Sequence, residues 1–88
     1  MNIEIIKTQI IEILKNIGIE KITDTSVKLL DDLFMDSLQM VILLVMIEDT
    51  FEIELDESDM NPFVLITVQD VIDLVAKYKP ESEVGENG

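Results

Sequence analysis

The residues best placed for chemistry are Asp36, Ser37 and Leu38, which stand just before an unbroken apolar run at residues 40–47. Eight apolar residues are far fewer than the ~20 that span a bilayer, so the run predicts no membrane span but a helix packed against several neighbours. Asp36 can accept from the first free N–H groups, and Gln39 occupies the capping-box position. Ser37 is then predicted to lie exposed in the first turn, at the positive helix end that stabilises a phosphate.

The rest of the composition argues against catalysis by Ser37. The chain has no histidine, no cysteine and no glycine-rich phosphate loop, so a Ser-His triad is excluded and an enzyme is not predicted. The acidic pairs and runs at residues 31–32 and 56–59 are interpreted as solvated turns, and no metal site is predicted. We therefore interpret Ser37 as a residue to which another group is attached.

The charge is the strongest bulk signal, with 19 acidic against six basic residues and a net charge of −13. Such a surface repels nucleic acid and anionic membranes and favours basic patches on partner proteins. The alternative is that the acidity only keeps an apolar domain in solution. With 88 residues and no signal-peptide pattern, we expect one cytoplasmic, monomeric domain at residues 1–79, followed by a disordered acidic tail at residues 80–88.

Apolar periodicity and capping signals predict an all-α fold. The first helix covers residues 3–17 and ends at Gly18, and the second runs from about Ser37 to Phe51. Thr67, with Asp70 three residues on, opens the last helix. Residues 19–35 form a long connection that lies on the core, residues 52–55 are extended, and residues 61–65 form at most a short helical turn. The sum is a four-helix bundle with three main helices and one short one.

Several motifs in register resemble those of the acyl carrier proteins over roughly residues 3–78. They are Asp36-Ser37-Leu38, Glu48 followed by Phe51, Ile53-Glu54-Leu55, and the opening of the last helix at residues 67–71. The resemblance implies that a phosphopantetheinyl transferase moves 4′-phosphopantetheine from coenzyme A to Ser37. The thiol of this arm would carry acyl groups as thioesters between acyl-loading and acyl-processing enzymes, such as a ligase or a ketosynthase.

The same resemblance implies roles for the neighbours of Ser37. Asp36 would help to place the modifying enzyme and its metal beside the serine. The docking surface for partner enzymes would comprise four residues of the second helix, namely Leu38, Met40, Val41 and Glu48. Met40 is expected to be exposed, because it lies three residues along from Ser37 on the same face. Val45 and Ile47 are expected in the interior, with Val45 a candidate to line a cavity for the acyl chain.

The sequence also departs from the family pattern. Phe34 stands where the family usually has glycine, and an aromatic side chain lacks the freedom of glycine at positive φ. We therefore expect a different loop path before Ser37, or burial of Phe34 as a lid over the acyl cavity. Gln39 and Ile42 replace residues that are commonly acidic, and residues 60–66 are unusually apolar. These departures favour a specialised polyketide or natural-product pathway over general fatty-acid synthesis.

Two alternatives stay open at the level of sequence. One is an aminoacyl or peptidyl carrier, including a D-alanyl carrier, although such proteins tend to be less acidic. The other is an interaction subunit that has the same fold but in which Ser37 stays unmodified.

The charge also generates a prediction about stability. Self-repulsion within a chain of net charge −13 opposes folding, and dissolved ions screen it. We expect the melting temperature to rise when salt or a divalent cation is added to a low-salt buffer. Calorimetric scans at low and moderate ionic strength check this, and equal melting temperatures would contradict it.

Overall fold

Three α-helices form the fold in a computed structural model that describes residues 1–20 and 22–79. They are Ile3–Ile17 (α1), Ser37–Phe51 (α2) and Val68–Tyr78 (α3), and two single 3-10 turns, Glu57–Asp59 and Pro62–Val64, lie between α2 and α3. The described ranges contain no β-strand and one isolated antiparallel bridge. The predicted all-α fold and its three main helices are confirmed. The predicted fourth helix is only a 3-10 turn, so a complete four-helix bundle is not established, and the predicted tail lies outside the described residues.

Local capping signals set the ends of the helices. Gly18 ends α1 at φ 107°, a left-handed conformation that glycine adopts without steric cost. Thr67 and Asp70 form a capping box, in which the Thr67 side chain accepts from the Asp70 N–H and the Asp70 side chain accepts from the Thr67 N–H. The sequence predicted these capping residues, and the structure has each of them at the predicted position.

The core is built around α1, which packs against both α2 and α3, whereas α2 and α3 approach each other less closely. The buried face of α1 consists of Ile6, Ile10, Ile13 and Leu14. Burial of each such aliphatic side chain contributes about 1.5–3 kcal/mol. The core therefore depends on α1 as the shared partner of both other helices.

Our expectation that α2 is packed on nearly every side is wrong. The side chains of Leu38, Val41, Ile42 and Val45 are 39–67% exposed and share one face by their spacing of three and four residues. Val45, which we expected in the interior, is 52% exposed, while Ile47 is buried as expected. One face of α2 packs on the core, and the opposite face is an apolar stripe in contact with solvent.

The connection before α2 lies on the core, as predicted. The Leu29 N–H donates to the Ile66 carbonyl at 2.9 Å, and the Met35 N–H donates to the Leu29 carbonyl at 3.0 Å. The Leu29 and Met35 side chains are both buried. These contacts fasten the connection to the segment before α3 and hold its last residues in a defined path.

A polar cluster joins the turn at Glu57–Asp59 to the end of α3. The Tyr78 hydroxyl accepts from the Asp56 N–H at 2.8 Å and donates to the Asp59 carboxylate. Both Asp59 oxygens also accept from the Lys77 ammonium, each at 2.9 Å. The hydrogen bonds from Tyr78 and Lys77 hold the pKa of Asp59 below its ordinary value.

This lowered pKa predicts a stability difference that depends on pH. Since the pKa of Asp59 is lower in the folded than in the unfolded chain, its contribution is present above the unfolded value of about 3.9 and is lost as the pH falls through the folded value. Asp59→Asn should therefore lower the free energy of unfolding near neutral pH, with a smaller loss in acid. Urea unfolding from about pH 7 to pH 3 measures this.

The matched control is Glu54→Gln, which removes one exposed carboxylate from the segment between α2 and the turn. It corrects for the change in net charge alone. An equal loss of stability at every pH in Asp59→Asn would contradict the prediction.

Candidate functional site

Ser37 is the first residue of α2, and its side chain is exposed. Asp36 is the N-cap with extended backbone angles, and its side chain accepts from the Gln39 N–H at 2.7 Å. The Gln39 side chain in turn accepts from the Asp36 N–H at 3.0 Å. This reciprocal capping box places α2 so that its first residue is the serine, as the sequence predicted.

The position of Ser37 suits a phosphate ester. Helix geometry leaves the first N–H groups without partners inside the helix, and the aligned peptide dipoles make this end positive. No acidic residue lies inside the first turn of α2, and the adjacent Asp36 carboxylate accepts from the Gln39 N–H. The Ser37 hydroxyl is thus accessible, and it lies at the end of the helix that favours an anion such as a phosphate.

Met40 does not lie where we predicted. Its side chain is 1% exposed and belongs to the core, so the expectation that it is exposed beside Ser37 is wrong. Met40 lies about 60° around the helix axis from Ser37, on the side that also holds the buried Leu43, Leu44 and Ile47, and it packs into the core with them. Met40 is therefore not accessible to a docking partner, and it packs in the core instead.

Phe34 also differs from expectation. It adopts φ 58°, so the loop keeps a left-handed residue at this point even though the residue is not glycine. Such a backbone conformation costs an aromatic residue on the order of 1–2 kcal/mol. The side chain is 82% exposed, so the idea that it is buried as a lid is wrong. Met35, the next residue, occupies the core.

The other predicted docking residues lie along or beside the apolar stripe of α2. Leu38 is 67% exposed and Val41 is 45% exposed. Glu48 is half-buried, and one of its carboxylate oxygens accepts from the Leu55 N–H at 2.9 Å. Leu38 and Val41 are accessible to a partner, while Glu48 also holds the extended segment that follows α2.

An open pocket of about 360 Å³ lies between the end of α1 and the loop before Ser37. Residues 18–20 line it on the side of α1, and residues 32–34 line it on the side of the loop. The sequence did not reveal this pocket, because it depends on how the connection folds back on α1.

A second apolar surface, which the sequence signalled only as an unusually apolar segment, lies around the second 3-10 turn. Phe63, Val64 and Ile66 are 53–65% exposed there. A small pocket of about 100 Å³ separates Phe63 from Leu30 in the earlier connection.

Two classes of feature are absent from the part of the chain that the structure describes. Histidine, cysteine, aspartate and glutamate side chains form no group of three that could hold a metal ion. None of the helices there combines the length and the apolarity needed to cross a membrane.

Comparison with known proteins identifies the family. The family model described as the phosphopantetheine attachment site matches residues 4–75. An acyl carrier protein of Syntrophobacter fumaroxidans is 32% identical over 81 residues, which cover 90% of this chain and 98% of that protein. One from Desulforapulum autotrophicum is 36% identical over 72 residues, covering 82% and 90% of the two chains. One from Buchnera aphidicola is 40% identical over 74 residues, covering 84% and 90%.

No solved structure matches the chain. The matched region nonetheless extends from the start of α1 nearly to the end of α3 and includes the exposed serine at the start of α2. The chain therefore belongs to the acyl carrier protein family, whose members are carriers of phosphopantetheine and not enzymes.

Proposed function

We propose that Ser37 is the residue that bears 4′-phosphopantetheine and that the chain shuttles acyl groups between enzymes. The observation that carries this proposal is the exposed Ser37 hydroxyl in the first turn of a capped helix, within the matched family region. When attached, the arm supplies a thiol that holds the acyl group as a thioester. The chain itself has no cysteine, so this thiol does not duplicate one in the protein.

Asp36 supports the modification in two ways. Its Oδ1 atom accepts from the Gln39 N–H, and this contact fixes the start of the helix at Ser37. Asp36 is exposed, so its carboxylate can also contact the metal ion that the modifying enzyme binds together with coenzyme A. The first role needs only a capping side chain, whereas the second needs the negative charge.

The outer face of α2 is the docking surface of this proposal. Leu38 and Val41 present apolar side chains to solvent, and Glu48 adds a carboxylate near the far end of the helix. Met40 contributes from below by holding this turn against the core. Contacts of this kind make docking more dependent on apolar burial and less on charge than an acidic helix face would.

The proposed carrier serves a specialised pathway, such as polyketide or hybrid natural-product synthesis, and not general fatty-acid synthesis. Support comes from the apolar Ile42 on the docking surface and from the exposed Phe63 and Val64 near the second 3-10 turn. These side chains suit a dedicated partner that buries them. We place the carrier in the cytoplasm as a monomer that meets a phosphopantetheinyl transferase, an acyl-loading ligase and a ketosynthase or similar enzyme in turn.

The acyl chain is proposed to shelter between α2 and α3. These helices approach each other less closely than either approaches α1, so a gap can open there while α1 keeps its contacts with both. The flexible Met40 side chain lies on the inner side of α2, where it can adjust to an inserted chain.

Intact-mass spectrometry tests the attachment directly. The chain is incubated with coenzyme A, magnesium and a broad-specificity phosphopantetheinyl transferase. The parent should gain the mass of one phosphopantetheine, and Ser37→Ala should gain none, because the attacking hydroxyl is missing. Ser58→Ala, which removes an exposed hydroxyl from the first 3-10 turn, is the matched control and should be modified fully. Modification of Ser37→Ala to the same extent as the parent would contradict the proposal.

A second variant separates the two roles of Asp36. Asparagine caps helices about as well as aspartate, so Asp36→Asn should leave the melting temperature nearly unchanged. It removes the carboxylate charge, so kcat/KM for modification should fall at least about tenfold, equivalent to roughly 1.4 kcal/mol.

The measurement is the initial rate of phosphopantetheine transfer, with thermal unfolding of the same samples. A variant that is modified at the parental rate would contradict the role of the carboxylate. A large fall in melting temperature would show that Asp36 acts mainly through the cap.

A further inference from the structure

We propose that Phe34 is an aromatic docking residue for the enzyme that modifies Ser37, and that this enzyme receives it in an apolar recess with a basic rim. The inference rests on the proposed attachment at Ser37. It assigns to one loop residue a role in choosing the transferase.

The first observation is that the fold holds Phe34 in an unfavourable state. Its backbone is left-handed, at φ 58°, and 82% of its aromatic side chain is exposed to water. The loop could relieve both penalties with a small or polar residue, since neither the ring nor its Cβ contributes to the core. Conformations of this kind persist where the surroundings enforce them, and they cluster at functional sites.

The second observation is that the surroundings do enforce it. Met35 is buried and its N–H donates to the Leu29 carbonyl, so the chain is anchored directly after Phe34. Asp36 is then held by the capping box of α2. Between these anchors and the half-buried Leu33, the ring of Phe34 is directed outward, and the loop presents it in a defined place.

The third observation is that Phe34 lies close to Ser37. This proximity favours the enzyme that acts on the Ser37 hydroxyl as the partner. Three residues span at most roughly 11 Å, so the ring lies on the surface around the serine hydroxyl. An enzyme that acts on this hydroxyl must enclose it and must therefore cover its neighbours Phe34 and Leu38, both exposed apolar side chains. Enzymes that act on the far end of the arm need no such contact with the loop.

The fourth observation is the charge around the ring. No lysine or arginine occurs between Lys28 and Lys77, whereas Asp31, Asp32 and Asp36 are exposed on the same loop. Asp32 also lines the open pocket that Phe34 borders. An apolar ring set among carboxylates is complementary to an apolar recess surrounded by basic side chains. Aromatic anchors of this kind often carry a large share of the binding energy of an interface.

Kinetics of phosphopantetheine transfer test the proposal with variants that separate the ring from the backbone. Glycine and asparagine both tolerate positive φ, so Phe34→Gly and Phe34→Asn keep the loop path and remove the ring. We expect KM to rise about tenfold in both, with kcat nearly unchanged. Phe34→Leu keeps an apolar side chain and should stay much closer to the parent.

Stability provides an independent readout on the same samples. Phe34→Gly should melt about 2–6 °C higher than the parent, because it relieves the left-handed backbone strain. A simple structural role would produce the opposite result, namely a lower melting temperature together with slower transfer. Ile5→Ala, at an exposed position on α1, is the matched control and should leave transfer unchanged.

Transfer at the parental rate in both Phe34→Gly and Phe34→Asn would overturn the proposal, as would a change confined to kcat. Failure of the proposed attachment is distinguishable, since the parent chain itself would then gain no phosphopantetheine. A rise in KM with added salt that is equal in the parent and in Phe34→Asn would support the basic rim, because salt screens the attraction and the carboxylates remain when the ring is removed.

Discussion

The reciprocal hydrogen bonds between Asp36 and Gln39 set the geometry of the whole site. They fix the residue at which α2 begins, so that Asp36 lies just outside the helix and Ser37 is its first residue. With the observed start, Ser37 is exposed in the first turn and Met40 packs into the core. The cap thus places the accessible hydroxyl at the start of the same helix whose inner face packs against α1.

The two faces of α2 serve two different needs. The inner face, which includes Leu43, Leu44 and Ile47, supplies the core that so small a domain requires. The outer face is also apolar but remains in solvent, at a cost in solubility that the high negative charge offsets. An exposed apolar stripe beside an exposed serine is the expected arrangement for a carrier that meets several enzymes briefly. Such enzymes can bury the stripe and release it again.

The helices and their ends could be predicted because their signals are local. Gly18, the Asp36–Gln39 pair and the Thr67–Asp70 pair each act within a few residues of the backbone that they cap. The prediction that Ser37 is the attachment residue depended on the same local signal together with the motifs in register around it.

The details that could not be predicted depend on tertiary contacts. Residues 40–47 are all apolar, so the pattern contains no information about which side of α2 faces the core, and Met40 and Val45 were therefore assigned to the wrong faces. The conformation of Phe34 is imposed by the anchoring of Met35 on Leu29, which pairs residues from two parts of the connection. Steric preference alone favours a different path for an aromatic residue.

We propose that this geometry makes Ser37 the single point of attachment. Phosphorus–proton correlation by NMR on the loaded chain tests it most directly, because it links the phosphodiester to the β-protons of the residue that bears it. We expect one phosphorus signal that correlates with Ser37. Correlation with Ser26 or Ser58, or a phosphorus signal with no link to the protein, would contradict it.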